Sequence, residues 1–197
     1  DVLNSSFIDN VDGITGKGGG YYYRDNSRRA PHNLYTTGKD LAAAIKNYGY
    51  TSSLPENYTP HYQFATEETQ NMLENGEDAA VVKMYYVDAQ PWFLYTEEDG
   101  LYYRSQHLSG GTDGPHIDAA TGEQLKFKNI LVQNTYHEEL GEGYLAFQCH
   151  DTTRDGWYFT NGKGIHVNWE KTTDFGATRY YDDDGNEIVL NTGKTMV

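Results

Sequence analysis

The sequence predicts an α+β chain, with a helical N-terminal part followed by a mostly antiparallel β domain. Three observations lead there. Residues 38–48 place apolar side chains at helical spacing between a cap and a glycine stop. From about Glu77 onward, β-prone runs alternate with short turn signals of the hairpin kind. Tyrosine occurs 18 times, so wide half-buried rings can supply a core although only 37 % of the residues are hydrophobic.

The first twenty residues are polar and end in Gly18-Gly19-Gly20, which reads as loose chain. Tyr21-Tyr22-Tyr23-Arg24 is a short β-prone run, followed by the polar stretch from Asp25 to Arg29 and the loop Ala30-Pro31-His32-Asn33. Thr37 is placed to cap the helix, with Asp40 three residues on as a shortened capping box. Leu41, Ala44, Ile45 and Tyr48 share one face, and Gly49 supplies a left-handed stop. A second, weaker helical turn is expected from Glu67 to Leu73 after Thr66, ending at Gly76.

Strands follow. Ala80 to Val87 is a nearly continuous β-prone run, as expected of a central strand. Trp92 to Thr96 and Leu101 to Arg104 flank Glu97-Glu98-Asp99-Gly100, and Trp157 to Thr160 and Ile165 to Trp169 flank Asn161-Gly162. Tyr180-Tyr181 and Ile188 to Leu190 flank Asp184-Gly185 in the same way. Two more strands are expected at Phe127 to Val132 and Tyr144 to Cys149. Tyr85, Tyr86, Tyr102, Tyr103, Tyr180 and Tyr181 fall in strand patterns, where packing is their default role.

Composition bounds the function. A net charge of -14 argues against nucleic acid or an anionic membrane as partner, because both are held by clustered Lys and Arg. No stretch approaches the ~18 to 20 apolar residues of a membrane span. There is no initiator Met and no signal-like segment, which reads as a mature form or a fragment. The single cysteine, Cys149, reads as a small buried hydrophobe.

Catalytic patterns are missing from the sequence. His137-Glu138-Glu139 lacks the second His of a zinc-protease helix, and Asp182 to Glu187 lacks the spacing of a calcium loop. Gly-x-Ser-x-Gly does not occur, and Gly16 to Gly20 lacks a P-loop ending. No cofactor or metal is expected. His116 and Asp118 stand two apart, close enough on a strand to share a proton, but the surrounding Gly, Pro and Ala point to a turn in which Asp118 binds backbone amides. The densest cluster is Tyr23 to Tyr35. Arg24, Arg28 and Arg29 bring three of the chain's basic residues within six positions, and His32 and Asn33 add donors and acceptors. Arginine forks bind carboxylate or phosphate, and otherwise pair with nearby carboxylates to hold a loop.

The stretch Tyr23-Arg24-Asp25-x-x-Arg28-x-Ala30-Pro31-His32-Asn33-Leu34-Tyr35 resembles a hallmark segment of the YerB-like lipoproteins of Gram-positive bacteria. Phe93-Leu94-Tyr95, Tyr103-Arg104, His116-x-Asp118, Thr121 to Leu125 and Asn129 to Gln133 follow in that family's order. So do Trp169-x-Lys171, Asp184-Gly185 and Leu190-Asn191-x-Gly193-Lys194-Thr195. The resemblance covers nearly the whole chain after about Gly19. It implies a lipid anchor, a place at the cell surface outside the cytoplasm, and two modules of unknown function. Residues 1–76, with the Arg/His/Asn loop and helix 38–48, would then be the tail end of the N-terminal module, its anchor and first part being absent from this chain. Residues 77–197 would be the C-terminal antiparallel β domain.

The expectation is a non-catalytic module that binds an envelope glycan or a wall-synthesis protein. Its expected ligand-binding residues are Arg24, Arg28, Arg29, His32, Asn33 and Tyr35, joined by Tyr103, Arg104, His116 and Asp118. Nucleic acid is not expected as a partner, and a membrane only through the lipid anchor. The rival expectation is an envelope hydrolase or transferase with His116 or Asp118 as acid or base and Arg104 steadying an anionic transition state. That rival requires the three side chains to converge.

Overall fold

Capping places the helix where the sequence puts it. The computed structural model describes residues 9–14, 16–54, 56, 58–108, 110–148, 151–173 and 176–197, with the backbone alone described at 151–153. Cys149 lies outside the described residues. The chain divides into a smaller unit, Asp1–Tyr58, and a larger one, Thr59–Val197.

In the smaller unit, β1 (Tyr22–Arg24) pairs antiparallel with β2 (Leu34–Thr36), setting Tyr23 opposite Tyr35 and Arg24 opposite Leu34. Helix α1 (Gly38–Tyr48) starts where the Thr37 hydroxyl accepts the Asp40 amide at 3.1 Å, and it stops at Gly49, whose φ is 70°. Ala44 is fully buried on the predicted face. Tyrosines supply several of the unit's other contacts. Tyr48 packs edge-on against Tyr21 at 5.8 Å and tilts against Tyr50 at 5.5 Å. The Tyr22 hydroxyl donates to Val11 O and the Tyr50 hydroxyl to Asn10 O, so ring and hydroxyl are both used.

The larger unit opens with β3 (Gln63–Phe64), β4 (Glu77–Asp78), β5 (Val81–Lys83), β6 (Trp92–Thr96), β7 (Leu101–Leu108) and β8 (Thr112–Pro115). Next come β9 (Lys126–Phe127), β10 (Asn129–Gln133), β11 (His137–Gly141) and β12 (Tyr144–Phe147). The last are β13 (Asp151–Thr160), β14 (Lys163–Lys171), β15 (Arg179–Tyr181), β16 (Val189–Leu190) and β17 (Thr195–Met196). One sheet runs β5-β6-β7-β8, with β9 also on β7, and every pairing in it is antiparallel. A second runs β15-β14-β13-β10-β17, with β4 on β14; β17 lies parallel to β10. The architecture is thus α+β and predominantly antiparallel.

The second sheet is buried on both faces. Leu131, Tyr158, Val167 and Trp169 pack on one side with Leu73, Ile188 and Leu190. Ile130, Phe159 and Val132 pack on the other, with Phe93, Tyr102 and Phe127 of the first sheet. Neighbours along a strand enter different clusters because successive side chains point to opposite faces.

Several elements depart from expectation. Only Glu67–Thr69 makes a helical turn, a 3-10 one, where a turn to Leu73 was expected. The chain beyond it is taken by tertiary bonds: the Asn71 amide donates to Asn191 Oδ1 at 2.7 Å and Leu73 enters the core. The run Ala80 to Val87 is not a central strand. Its paired part, β5, is an edge, and Tyr85, Tyr86 and Val87 are 86 %, 64 % and 94 % exposed. β-propensity reports a pleated surface and not a place within a sheet. The strand expected from Phe127 to Val132 is cut at Lys128, so that β9 joins one sheet and β10 the other. The Asp184-Gly185 turn closes through a Tyr181–Glu187 bridge, but β16 then leaves to pair in parallel with β3. β11, paired with β12, has no counterpart in the expected strands. Residues 59–76 belong with the larger unit, whereas the sequence places the change of pattern near Glu77.

Candidate functional site

The Arg/His/Asn loop closes the β1–β2 hairpin, and Asn33 is what shapes it. Asn33 is 6 % exposed; its side-chain nitrogen donates to Asp25 O at 3.1 Å and Arg28 O at 3.2 Å. Its side-chain oxygen accepts Arg24 Nη1 at 2.6 Å, and its backbone carbonyl accepts the Asp25 amide at 2.8 Å. Asp25 takes both the amide and the hydroxyl of Ser27. These Ser27 bonds, helped by the charge of Arg28, hold its carboxyl below the usual range. Arg24, Asp25 and Asn33 are therefore spent on the loop itself. Arg28, Arg29 and His32 are exposed, and none of the three makes a side-chain hydrogen bond with a described residue. Tyr23 and Tyr35 stack across the hairpin at 6.1 Å and remain 53 % and 36 % exposed.

The other expected residues, Tyr103, Arg104, His116 and Asp118, lie in the larger unit. Asp118 Oδ1 accepts the Ala120 amide at 2.7 Å and the Thr121 amide at 2.9 Å, closing a turn between Ile117 and Gln124. Those amides of Thr121 and Ala120 hold its carboxyl low. Arg104 donates from Nη1 to Gln106 at 3.0 Å, and burial pushes its guanidinium down from the ordinary value. The backbones of His116 and Arg104 meet, the His116 amide donating to Arg104 O at 3.0 Å. Arg104 Nε and His116 Nδ1 are buried without a hydrogen-bond partner. Among the described residues no hydrogen bond or ion pair joins Asp118 to either. Tyr103 stands apart, donating to Asp99 at 2.7 Å.

Two of the segments that carry the resemblance, Asn129 to Gln133 and Leu190 to Thr195, place polar residues in the core. Asn129, Thr160 and Asn191 are fully buried and bonded to one another's neighbourhood. Asn129 donates to Asn191 O at 2.7 Å, Tyr158 donates to Asn129 Oδ1 at 3.0 Å, and Asn191 donates to Thr160 Oγ1 at 3.0 Å. Burial pushes the Tyr158 hydroxyl up to about 12. Satisfied amides of this kind select one register for a strand that apolar contacts alone would leave free to slide.

The sequence reading missed His166 and Asp183, which meet at 2.7 Å beside Trp157 in a cleft of about 520 Å³. No local signal could have found the pair: His166 lies on β14 and Asp183 in the turn after β15. Among the described residues no three His, Cys, Asp or Glu side chains gather as a metal site would need, and no helix is long and apolar enough to cross a membrane.

Two family models match separate parts of the chain. A family model described as Protein of unknown function (DUF3048) C-terminal domain matches residues 80–197, and the model of the N-terminal domain matches residues 1–51. Among solved structures, the crystal structure of YerB protein from Bacillus subtilis matches with a TM-score of 0.68 at 22 % identity. The match covers 93 % of this chain and 57 % of that one, so the chain spans little more than half of its length. At this identity the likeness speaks for the fold alone. No curated protein matches.

Proposed function

The chain belongs to the DUF3048 family, a family of unknown function, and we propose that it is a non-catalytic binding module for a cell-envelope component. The ligand is a glycan or a wall-synthesis protein met outside the cytoplasm, where a lipid anchor holds the full-length protein. One observation carries this reading: Asn33, Arg24 and Asp25 stiffen a loop on which Arg28, Arg29 and His32 stay exposed and make no side-chain hydrogen bond with a described residue. A loop already ordered loses little entropy on binding, and its exposed guanidinium groups suit carboxylate or phosphate. The stacked, half-exposed Tyr23 and Tyr35 offer ring surface beside it.

The hydrolase reading draws no support from the geometry. An acid or base must reach the proton it moves, and Asp118 is held in turn hydrogen bonds. The test is co-sedimentation of the 197-residue chain with purified cell-wall material. Arg28→Ala with His32→Ala is expected to abolish binding while the thermal unfolding curve stays in place. Undiminished binding by that variant overturns the proposal.

A further inference from the structure

A cleft of about 670 Å³ opens in the larger unit between residues 66–70, 99–101, 126–128 and 192–194. That is room for a single small-molecule group. Lys126, Lys128 and Lys194 all line it, three of the fifteen basic residues of a chain whose net charge is -14.

The fold brings them together by a specific route. Lys128 stands where the chain passes from β9 to β10, between the two sheets. The carbonyl of Lys194 accepts the amides of Lys128 at 2.9 Å and Asn129 at 3.2 Å, which locks the approach to β17 beside it. Gly193 permits the close passage. Its φ is 147°, and a Cβ there would lie 2.6 Å from Lys128 Cβ.

Lys128 is the unusual group. Its ammonium is half-buried and meets two neutral oxygens, Asn161 Oδ1 at 2.6 Å and Gly100 O at 3.4 Å, with no carboxylate in the pair. Burial lowers its pKa from the ordinary value. An ammonium has three donors, so one is left over. Lys194 makes no side-chain hydrogen bond with a described residue, and the charge that acts on it is that of Asp118 outside the lining. Lys126 lies 3.7 Å from Asp99 and over the Tyr103 ring at 5.4 Å. Asp99 is itself engaged by the Tyr103 hydroxyl and the Leu101 amide. Glu67 is the other carboxylate on the lining, and Glu123 lies near enough to act on Lys126.

We propose that this cleft binds a phosphate group, with Lys126, Lys128 and Lys194 as its ligands. Lysines are point charges without the planar fork that matches a carboxylate, and phosphate accepts them from several directions. The group is either a free phosphate monoester or a diester within a polymer. All of its lining residues belong to the larger unit, so the proposal does not rest on the loop of the smaller one.

The test is an amide NMR titration of the ¹⁵N-labelled 197-residue chain at low ionic strength. The probes are glycerol 3-phosphate, glycerophosphoglycerol, acetate and glycerol. Saturable shifts at residues 99–101, 126–129 and 192–195 with either phosphate support the site, and the stronger phosphate tells monoester from diester. Lys126→Ala with Lys194→Ala is expected to weaken binding about tenfold or more, and Lys126→Gln with Lys194→Gln checks that lost charge is the cause. Arg28→Ala with His32→Ala should leave these shifts unchanged, so the two proposals fail separately. The site is overturned if no shift saturates, if acetate or glycerol matches the phosphates, or if the lysine variants respond like the parent.

Discussion

Replacing Asn191 by Ala should destabilise the larger unit by about 3 kcal/mol. Asn191 is fully buried, so water does not reach the groups it leaves behind. Its side-chain oxygen accepts the Asn71 amide at 2.7 Å, and its nitrogen donates to Asn71 O at 2.9 Å and Thr160 Oγ1 at 3.0 Å. Two of the three partners keep another bond. Asn71 O still accepts from Asn161 at 3.1 Å, and the Thr160 hydroxyl still donates to Lys128 O at 3.1 Å. The Asn71 amide is left without an acceptor. Two lost bonds at about 1 kcal/mol each and one orphaned donor at about 1 to 2 kcal/mol give the total. All three tryptophans, Trp92, Trp157 and Trp169, lie in the larger unit, so fluorescence during urea unfolding reports on it. With an m-value of about 2 kcal/mol/M the midpoint falls by about 1.5 M at constant slope. A loss below about 1 kcal/mol refutes the view that this amide network ties the last strand to the sheet.

Gly193→Ala should cost about 2 kcal/mol in the same assay, because the residue adds a left-handed backbone to a Cβ against the Lys128 stem; an unchanged midpoint removes the close-passage argument. Asp118 has a carboxyl held below 3.8 by the amides of Thr121 and Ala120. A carboxyl depressed in the folded state stabilises fully above its unfolded value, and the benefit is lost as pH falls through the folded one. The difference in urea midpoint between the parent and Asp118→Asn should therefore shrink as pH falls through and below the usual carboxylate range; a constant difference shows that the charge does not matter to the turn.

Much of the secondary structure could be read locally. Thr37, Asp40 and Gly49 mark the ends of α1 because caps act within one turn of chain. Asn161-Gly162 turns β13 into β14 because both residues adopt positive φ, 51° and 73°. Asp118 holds its turn as the neighbouring glycine and alanines suggested. The lysine cleft was invisible for the opposite reason. Lys128 falls in the expected strand Phe127 to Val132 and Lys126 stands just before it, yet Lys194 joins them only through backbone bonds spanning more than sixty residues.

The α+β class, the capped helix and most turns are legible in the chain, since each depends on near neighbours. Tertiary structure alone decided which strands are edges, where the chain crosses between sheets and which polar groups are buried together. It also divided the tyrosines: Tyr102, Tyr158 and Tyr180 lie in the core, while Tyr85 and Tyr86 face solvent. The physical reason is that a β-strand completes its hydrogen bonds outside itself, so its composition says what it can pair with but not what lies beside it.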